Sequence, residues 1–317
     1  MKKTILITGA AGFIGFHLSK LFLENGYNVV GLDNLCKSYG VSHKKKRVQI
    51  LNKYKKFNFI KKDLKEINKI NQKKYKIKFI VHLAAQAGVR YSQDNPELFI
   101  NDNILNTVKL FEFAKNNNIK DIFYASSSSV YGNCNTYPSK ENLNINKPLS
   151  IYGITKSTNE DLAYYYNFVY GINTIGFRFF TVYGPYGRPD MSVGIFFKNI
   201  LQNKKIELFN KGNNFRDYTY VEDIVGQIYA CFMKTEKLNS YNKVFNIGGE
   251  KTIQIKELVK LIENITGKKA KIKLGKKNKL DPVKSLASNI AIKKFSNFKN
   301  STLIKAGLEE VYNSFND

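Results

Sequence analysis

The sequence predicts an α/β fold: a doubly wound parallel sheet with helices on both faces and a smaller C-terminal lobe. Three observations predict it. Short apolar, β-branched runs alternate with amphipathic stretches through the first half of the 317-residue chain. A glycine-rich turn joins the first apolar run to the first amphipathic stretch. The rhythm breaks at about residues 180–214 and again from Glu250, where short elements and loops fit a small second unit.

The elements follow in order. Thr4–Thr8 reads as a buried strand, the glycine turn spans 9–15, and a helix runs over 13–25. A second strand, 28–32, ends at Asp33, and a third, 58–62, is followed by Asp63. Between them the basic stretch 37–56 reads as a solvated loop plus helix. A fourth strand covers 79–83, and a helix over 101–115 carries Ile104, Val108 and Phe111 at helical spacing. Strands at 122–126 and Asn173–Phe179 flank a long helix over 152–170, and a last strand lies at 243–247. The expected division places 1–179 and about 216–248 in a cofactor-binding domain. About 180–215 and 249–317 then form the substrate-binding lobe.

Composition narrows the function classes. At 43% hydrophobic residues the chain buries a sizeable core. No apolar run reaches the roughly 18 residues of a membrane span, and the apolar N-terminal stretch passes into the glycine turn without a cleavage site. Three scattered cysteines (Cys36, Cys134, Cys231) fit a reducing cytoplasm rather than a disulfide framework, and the histidines (His17, His43, His82) are too dispersed for a metal site. The net charge of +26 invites a nucleic-acid reading, but only five of the 51 basic residues are arginines and the lysines are spread throughout. A lysine-loaded surface explains this better than a groove, and it steers anionic substrates favourably. Against that background, arginine marks the need for planar, bidentate anion recognition. Arg90, Arg178, Arg188 and Arg216 all fall in the motif segments below, whereas Arg47 lies in the basic stretch.

The turn Gly9-Ala10-Ala11-Gly12-Phe13-Ile14-Gly15 lets a diphosphate approach backbone N–H groups at a helix N-terminus. Asp33, at the end of the next strand, can accept both ribose hydroxyls of an adenosine and repels a 2′-phosphate, so NAD is favoured over NADP. The alternative for the glycines alone is a tight turn without a ligand, and for Asp63 a plain surface carboxylate.

Of twenty tyrosines, only Tyr152 has a lysine four residues on, Lys156. Residues i and i+4 share a helix face, and an ammonium beside a phenol is expected to lower its pKa. The product is a base for a sugar hydroxyl; the alternative is a surface pair. Ser126-Ser127-Ser128-Ser129 stands at the C-terminal end of the fifth strand, the edge where open α/β sheets bind ligands.

Together with His82-Leu83-Ala84-Ala85 and Asn246-Ile247-Gly248, these segments resemble the extended short-chain dehydrogenase/reductase family over nearly the whole chain. The resemblance implies a Rossmann-type domain. It implies Tyr152 as base, Lys156 bonding the nicotinamide ribose, and Ser127 as hydroxyl partner of Tyr152. It further implies NAD held by Gly9, Gly12, Phe13, Ile14, Gly15, Asp33, Asn34, Asp63, Leu64, Ala84, Ala85, Tyr152 and Lys156. Dehydratases of the family carry Asp-Glu after the catalytic hydroxyl and the related decarboxylases carry Glu; here Ser128-Ser129 stands instead. Epimerisation needs no carboxylate there.

The segments 84–92 and 178–191 resemble the UDP-glucuronate 4-epimerase branch, which implies conversion of UDP-glucuronate to UDP-galacturonate through a 4-keto sugar. A C6 carboxylate calls for a charge-assisted partner, which Arg188 supplies, with Ser128, Ser129 and Thr181 beside it. Arg216 and Arg90 suit the diphosphate, and Asp281 the nucleotide. An ion pair of Arg188 with Asp190 or Asp217 is the structural alternative. The family's second aspartate after Asp281 is Ser288 here, which leaves other nucleotides or an N-acetylated sugar open. The other readings are a UDP-glucose or UDP-N-acetylhexosamine 4-epimerase, a UDP-glucuronate decarboxylase, and a non-catalytic NAD- or RNA-binding protein. Family likeness also implies a homodimer through the helices near 96–116 and 152–170, and a cell-surface polysaccharide precursor as product.

Overall fold

The computed structural model describes residues 2–38, 40–145, 147–275, 282–299 and 302–315. Seven strands form one parallel sheet: β1 (Thr4–Thr8), β2 (Asn28–Asp33), β3 (Phe57–Lys61), β4 (Ile77–His82), β5 (Asp121–Ser127), β6 (Asn173–Phe179) and, late in the chain, β10 (Asn242–Ile247). Their order is β10-β6-β5-β4-β1-β2-β3. The order reverses at β1, so the crevice between β1 and β4 opens at the C-terminal edge of the sheet.

Helices cover both faces, as right-handed βαβ crossovers require. On one face α1 (Phe13–Glu24), α9 (Val221–Thr235) and α11 (Ile290–Ser296) pack on Ile5, Ile7, Phe79, Phe123 and Phe177. On the other, α6 (Asn106–Asn116) and α7 (Ile151–Tyr170) cover Leu6, Val30, Ile80, Ile122 and Tyr124. With both faces covered, the strands read as continuous apolar runs, and every residue of β6 is buried.

The helix expected over 101–115 is present, but it opens with a π-helical turn. Short turns α4 (Tyr91–Asp94) and α5 (Pro96–Phe99) lead into a π-helical segment, Ile100–Leu105, before α6. The basic stretch is also corrected. It contains α2 (Val41–Leu51), whose inner face buries Lys44 and Arg47 rather than leaving them solvated. After β3, a 3₁₀ turn (Leu64–Lys69) and α3 (Gln72–Tyr75) return the chain to β4.

The smaller lobe has β7 (Thr181–Tyr183), α8 (Ser192–Leu201), β8 (Lys205–Phe209), β9 (Phe215–Tyr220), β11 (Thr252–Gln254), α10 (Ile255–Thr266), β12 (Lys271–Gly275) and α12 (Ile304–Asn313). β9 pairs with β7 and β11, and β12 with β8, so residues 215–220 lie outside the large sheet. The lobe has its own core of Phe196, Phe197, Ile206, Leu208, Leu258, Ile262 and Leu308. No helix among the described residues is long and apolar enough to cross a membrane.

Candidate active site

Because the sheet is parallel, the ends of β1, β2, β4, β5 and β6 face one edge, and the expected site residues gather there. Gly9 has φ +72°, and a Cβ on it would lie 2.8 Å from the Ala84 nitrogen. A Cβ on Gly15 would lie 2.1 Å from the Gly9 carbonyl. The turn therefore folds against itself and against the end of β4 only with glycine. Gly12 precedes α1 without a side-chain cap, so the first-turn amides of Phe13 and its neighbours form an anion cradle at a helix N-terminus. Uncapped amides and the buried Asp33 beside them fit a dinucleotide.

Asp33 accepts from the Ala11 N–H at 3.2 Å and the Leu35 N–H at 2.8 Å. Burial holds its carboxyl above the ordinary value, with Lys44, those backbone bonds and Arg47 pulling the other way. Asn34 donates to Asp63 at 2.9 Å, and Asp63 caps the turn begun by the buried Leu64 by accepting from the Lys65 N–H at 3.0 Å. Ala84 and Ala85 follow β4, half-buried against the glycine turn.

Tyr152, in the first turn of α7, is bonded to Ser127 at the end of β5. Ser127 Oγ accepts from the Ser129 N–H at 3.1 Å and donates to Ser129 Oγ at 3.2 Å. Lys156 Nζ donates to the Ala125 carbonyl at 2.9 Å and lies 5.9 Å from the Tyr152 ring centre. Burial brings this lysine down to about 8. The expectation that Lys156 lowers the Tyr152 pKa is corrected. Burial raises it, and the forces opposing that rise are the Ser127 hydrogen bond and the Arg188 charge.

Arg188 forms a two-point ion pair with Asp190, at 3.0 and 2.6 Å. The structural alternative for this arginine is thus realised. Its Nη2 reaches the Ala87 carbonyl at 3.5 Å. Ser128 and Ser129 begin the turn after β5, and Thr181 opens β7, all half-buried. Arg90 is exposed and stacks on Phe209 at 4.1 Å; Arg216 donates to the Phe215 carbonyl at 2.7 Å. Asp281 lies outside the described residues.

Several residues escaped the sequence reading. His82 sits in a chain of buried polar groups. Thr8 Oγ1 accepts from the Ala84 N–H and donates to His82 Nδ1 at 2.8 Å; His82 Nε2 donates to Thr107 Oγ1 at 3.0 Å; Thr107 donates to the Asn103 carbonyl at 2.6 Å. Asn103, in the π-helical segment, exchanges bonds with the Gln86 backbone and donates to Thr155, which donates to the Tyr152 carbonyl. The glycine strand is thereby tied to the tyrosine helix. The legible signal was Phe99, Asn103, Thr107 and Leu110, a helical stripe with polar residues where apolar ones belong. A second missed group is the buried Glu160–Arg178 pair, with Arg178 Nη2 at 2.7 Å from Glu160 Oε2. Ser126 donates to the same carboxylate, which locks β5 to α7 one residue from the Lys156 anchor. Among the described residues no cluster of three or more His, Cys, Asp or Glu side chains is disposed to hold a metal.

Comparison with known proteins places this geometry. Residues 5–248 match the model of the NAD dependent epimerase/dehydratase family. The chain is 37% identical to a UDP-glucuronate 4-epimerase of Thermodesulfobacterium geofontis over 311 residues, 97% of this chain and 94% of that protein. The fold is similar to that of UDP-glucuronic acid 4-epimerase from Bacillus cereus in complex with UDP-glucuronic acid and NAD, with a TM-score of 0.91 and 33% identity over 99% of both chains. It is also similar to UDP-glucose 4-epimerase of Thermotoga maritima with UDP-glucose, with a TM-score of 0.88 and 29% identity over 99% of this chain and 98% of that one.

Proposed function

Because the chain belongs to the NAD dependent epimerase/dehydratase family, we propose that it inverts C4 of a UDP-sugar, and that this sugar is UDP-glucuronate. The enzyme class, NAD-dependent nucleotide-sugar 4-epimerase, and the cofactor, NAD, follow from the family and from relatives named for that reaction. The observation that carries the finer reading is the serine segment at the end of β5, without a carboxylate, in a chain whose Arg188 Nη2 reaches the Ala87 carbonyl after β4 and is held otherwise by the half-exposed Asp190.

Tyr152 Oη acts in its phenolate form, which the Ser127 hydrogen bond and the Arg188 charge favour against burial: it takes the 4′-hydroxyl proton and, as the phenol, returns it after the sugar has turned. Lys156, anchored on Ala125, keeps a positive charge near that phenol at neutral pH. Bound NAD supplies the hydride acceptor and then the donor at sugar C4, leaving no net oxidation. The 4-keto uronate is a β-keto acid prone to lose CO2. Arg188, with Ser128, Ser129 and Thr181, is assigned to hold the carboxylate out of alignment with the ketone. Asp190 is exposed enough to exchange Arg188 for water when a substrate carboxylate competes. Asp33, Asn34, Asp63, Leu64, Ala84 and Ala85 are assigned to the adenosine and nicotinamide ends of NAD, and Arg90 and Arg216 to the substrate diphosphate. A homodimer is supported by exposed apolar side chains on α7, where Phe168 and Tyr164 stack on each other and are 78% and 61% exposed, and by the exposed Leu105 that ends the π-helical segment.

Incubation with UDP-glucuronate, UDP-glucose and UDP-N-acetylglucosamine separately, with NMR of the products, tests the reading. UDP-galacturonate from UDP-glucuronate alone is the expected result. Turnover of a neutral sugar alone overturns the carboxylate assignment, and a pentose product overturns the argument against decarboxylation.

A further inference from the structure

Arg47 is wholly buried on α2, 0% exposed, and its guanidinium joins two loops. Nη1 donates to the Ala11 carbonyl of the glycine turn at 2.9 Å. Nε and Nη2 donate to the Tyr186 carbonyl at 3.1 and 2.6 Å, and Nη2 also to the Gly187 carbonyl at 3.2 Å. A planar fork reaches acceptors on both sides at once; a lysine ammonium is a compact point charge. In a chain whose default cation is lysine, this position has kept the fork.

The second loop is held in a conformation that it would rarely adopt alone. Tyr186 has φ +54°, in the left-handed region that costs a non-glycine residue. Its ring packs edge-on against Phe16 at 5.4 Å, and His17 on α1 bonds the preceding Pro185 carbonyl at 2.9 Å. The next side chain along the loop after Gly187 is Arg188.

We propose that Arg47 is a positioning residue that couples occupation of the glycine turn to the placement of Arg188. An anion on the amides of 9–13 fixes the turn and with it the Ala11 carbonyl. The guanidinium, desolvated and bound at both ends, transmits that restraint to Tyr186 and Gly187. Such coupling is reciprocal, so a ligand engaging Arg188 also tightens the hold on the cofactor. The inference rests on the reading of the glycine turn as the NAD diphosphate site; it does not depend on which sugar is turned over.

Hydrogen exchange read by mass spectrometry on NAD-loaded and NAD-depleted full-length protein tests it. In the wild type, NAD is expected to slow exchange about tenfold both in peptides covering 9–13 and in peptides covering 184–190. In Arg47→Lys the first effect persists and the second falls below twofold, while the KM of the accepted nucleotide sugar rises about tenfold with a smaller change in kcat. Arg47→Gln, which retains two N–H donors without charge, serves if Arg47→Lys does not fold. If neither variant folds, the wild-type comparison still tests the coupling of the two loops, and the variants are needed only to assign it to Arg47. Protection at 9–13 without protection at 184–190 overturns the coupling, as does equal protection of 184–190 in wild type and variant. Absence of protection at 9–13 in the wild type overturns the cofactor-site reading instead, and the coupling with it.

Discussion

Replacing Lys156 by methionine is expected to abolish turnover and to make the nucleotide-free protein more stable at neutral pH. The lysine is buried at the foot of the site and held at about 8 instead of 10.5. Below pH 8 both folded and unfolded chains carry the proton, and the folded state bears the full cost of burying it. At about 1.36 kcal/mol per pH unit, that cost is about 3 kcal/mol. Between pH 8 and 10.5 the folded chain has released its proton while the unfolded chain still holds it, so wild-type stability climbs with pH. Above 10.5 both are neutral and the cost is gone. The substitution also removes the donor to the Ala125 carbonyl, a loss of roughly 1–3 kcal/mol that does not vary with pH. The net gain at pH 7 is therefore about 1 kcal/mol. The more decisive quantity is its slope: the stability difference, variant minus wild type, should fall by about 3 kcal/mol from pH 7.5 to 10.5. Urea unfolding of both proteins, stripped of nucleotide, at half-unit intervals measures it. A difference that stays flat across that range would refute the argument, because Lys156 would then titrate as an ordinary surface lysine.

Other perturbations act at separate points. Tyr152→Phe keeps the buried ring against Phe99 and loses the hydroxyl, so kcat should fall by roughly 10²–10⁴ with unchanged folding, read by product NMR and circular dichroism. Arg188→Ala should raise the KM for UDP-glucuronate about tenfold or more and let a pentose product appear; unchanged KM and clean UDP-galacturonate would remove Arg188 from the carboxylate site. Asp33→Ala should weaken NAD binding and narrow the preference over NADP, measured by titration with each dinucleotide. Phe168→Asp should convert a dimer to monomer in sedimentation without altering the α7 register; a wild-type monomer would dispose of the dimer proposal.

What could be read from sequence divides along physical lines. The β1–turn–α1 unit was legible because glycine spacing is dictated by sterics that no other residue satisfies, as Gly9 and Gly15 illustrate. Tyr152 and Lys156 were legible through helical spacing. Their electrostatics were not, since burial overrides pairwise charge proximity and depends on what packs around α7. The π-helical segment was hidden because one widened turn lies inside a run of otherwise helical backbone, and the bonds that Asn103 makes to Gln86 and Thr155 there depend on tertiary partners. Arg47 was hidden by its neighbours: in Lys44-Lys45-Lys46-Arg47 the burial of the first and last residues follows from the rotation of α2, which a run of cations does not reveal. Arg188 was read for its chemistry, but its partner Asp190 could be weighed only as an alternative, because two residues' separation on a loop says nothing about geometry.

The buried histidines carry a last consequence. Burial takes His82 to about 3 and His17 to about 4, so neither of these two imidazoles senses mild acidification. In the Thr8–His82–Thr107 link the imidazole keeps one tautomer, because Thr8 must donate to it and Thr107 must accept. It is a spacer of fixed polarity rather than a proton store. Burial brings two other groups toward neutrality: Asp217, to about 6 in the smaller lobe, and Lys156, to about 8 at the site. A drift of half a pH unit about neutrality would leave His17 and His82 uncharged and their hydrogen bonds in place.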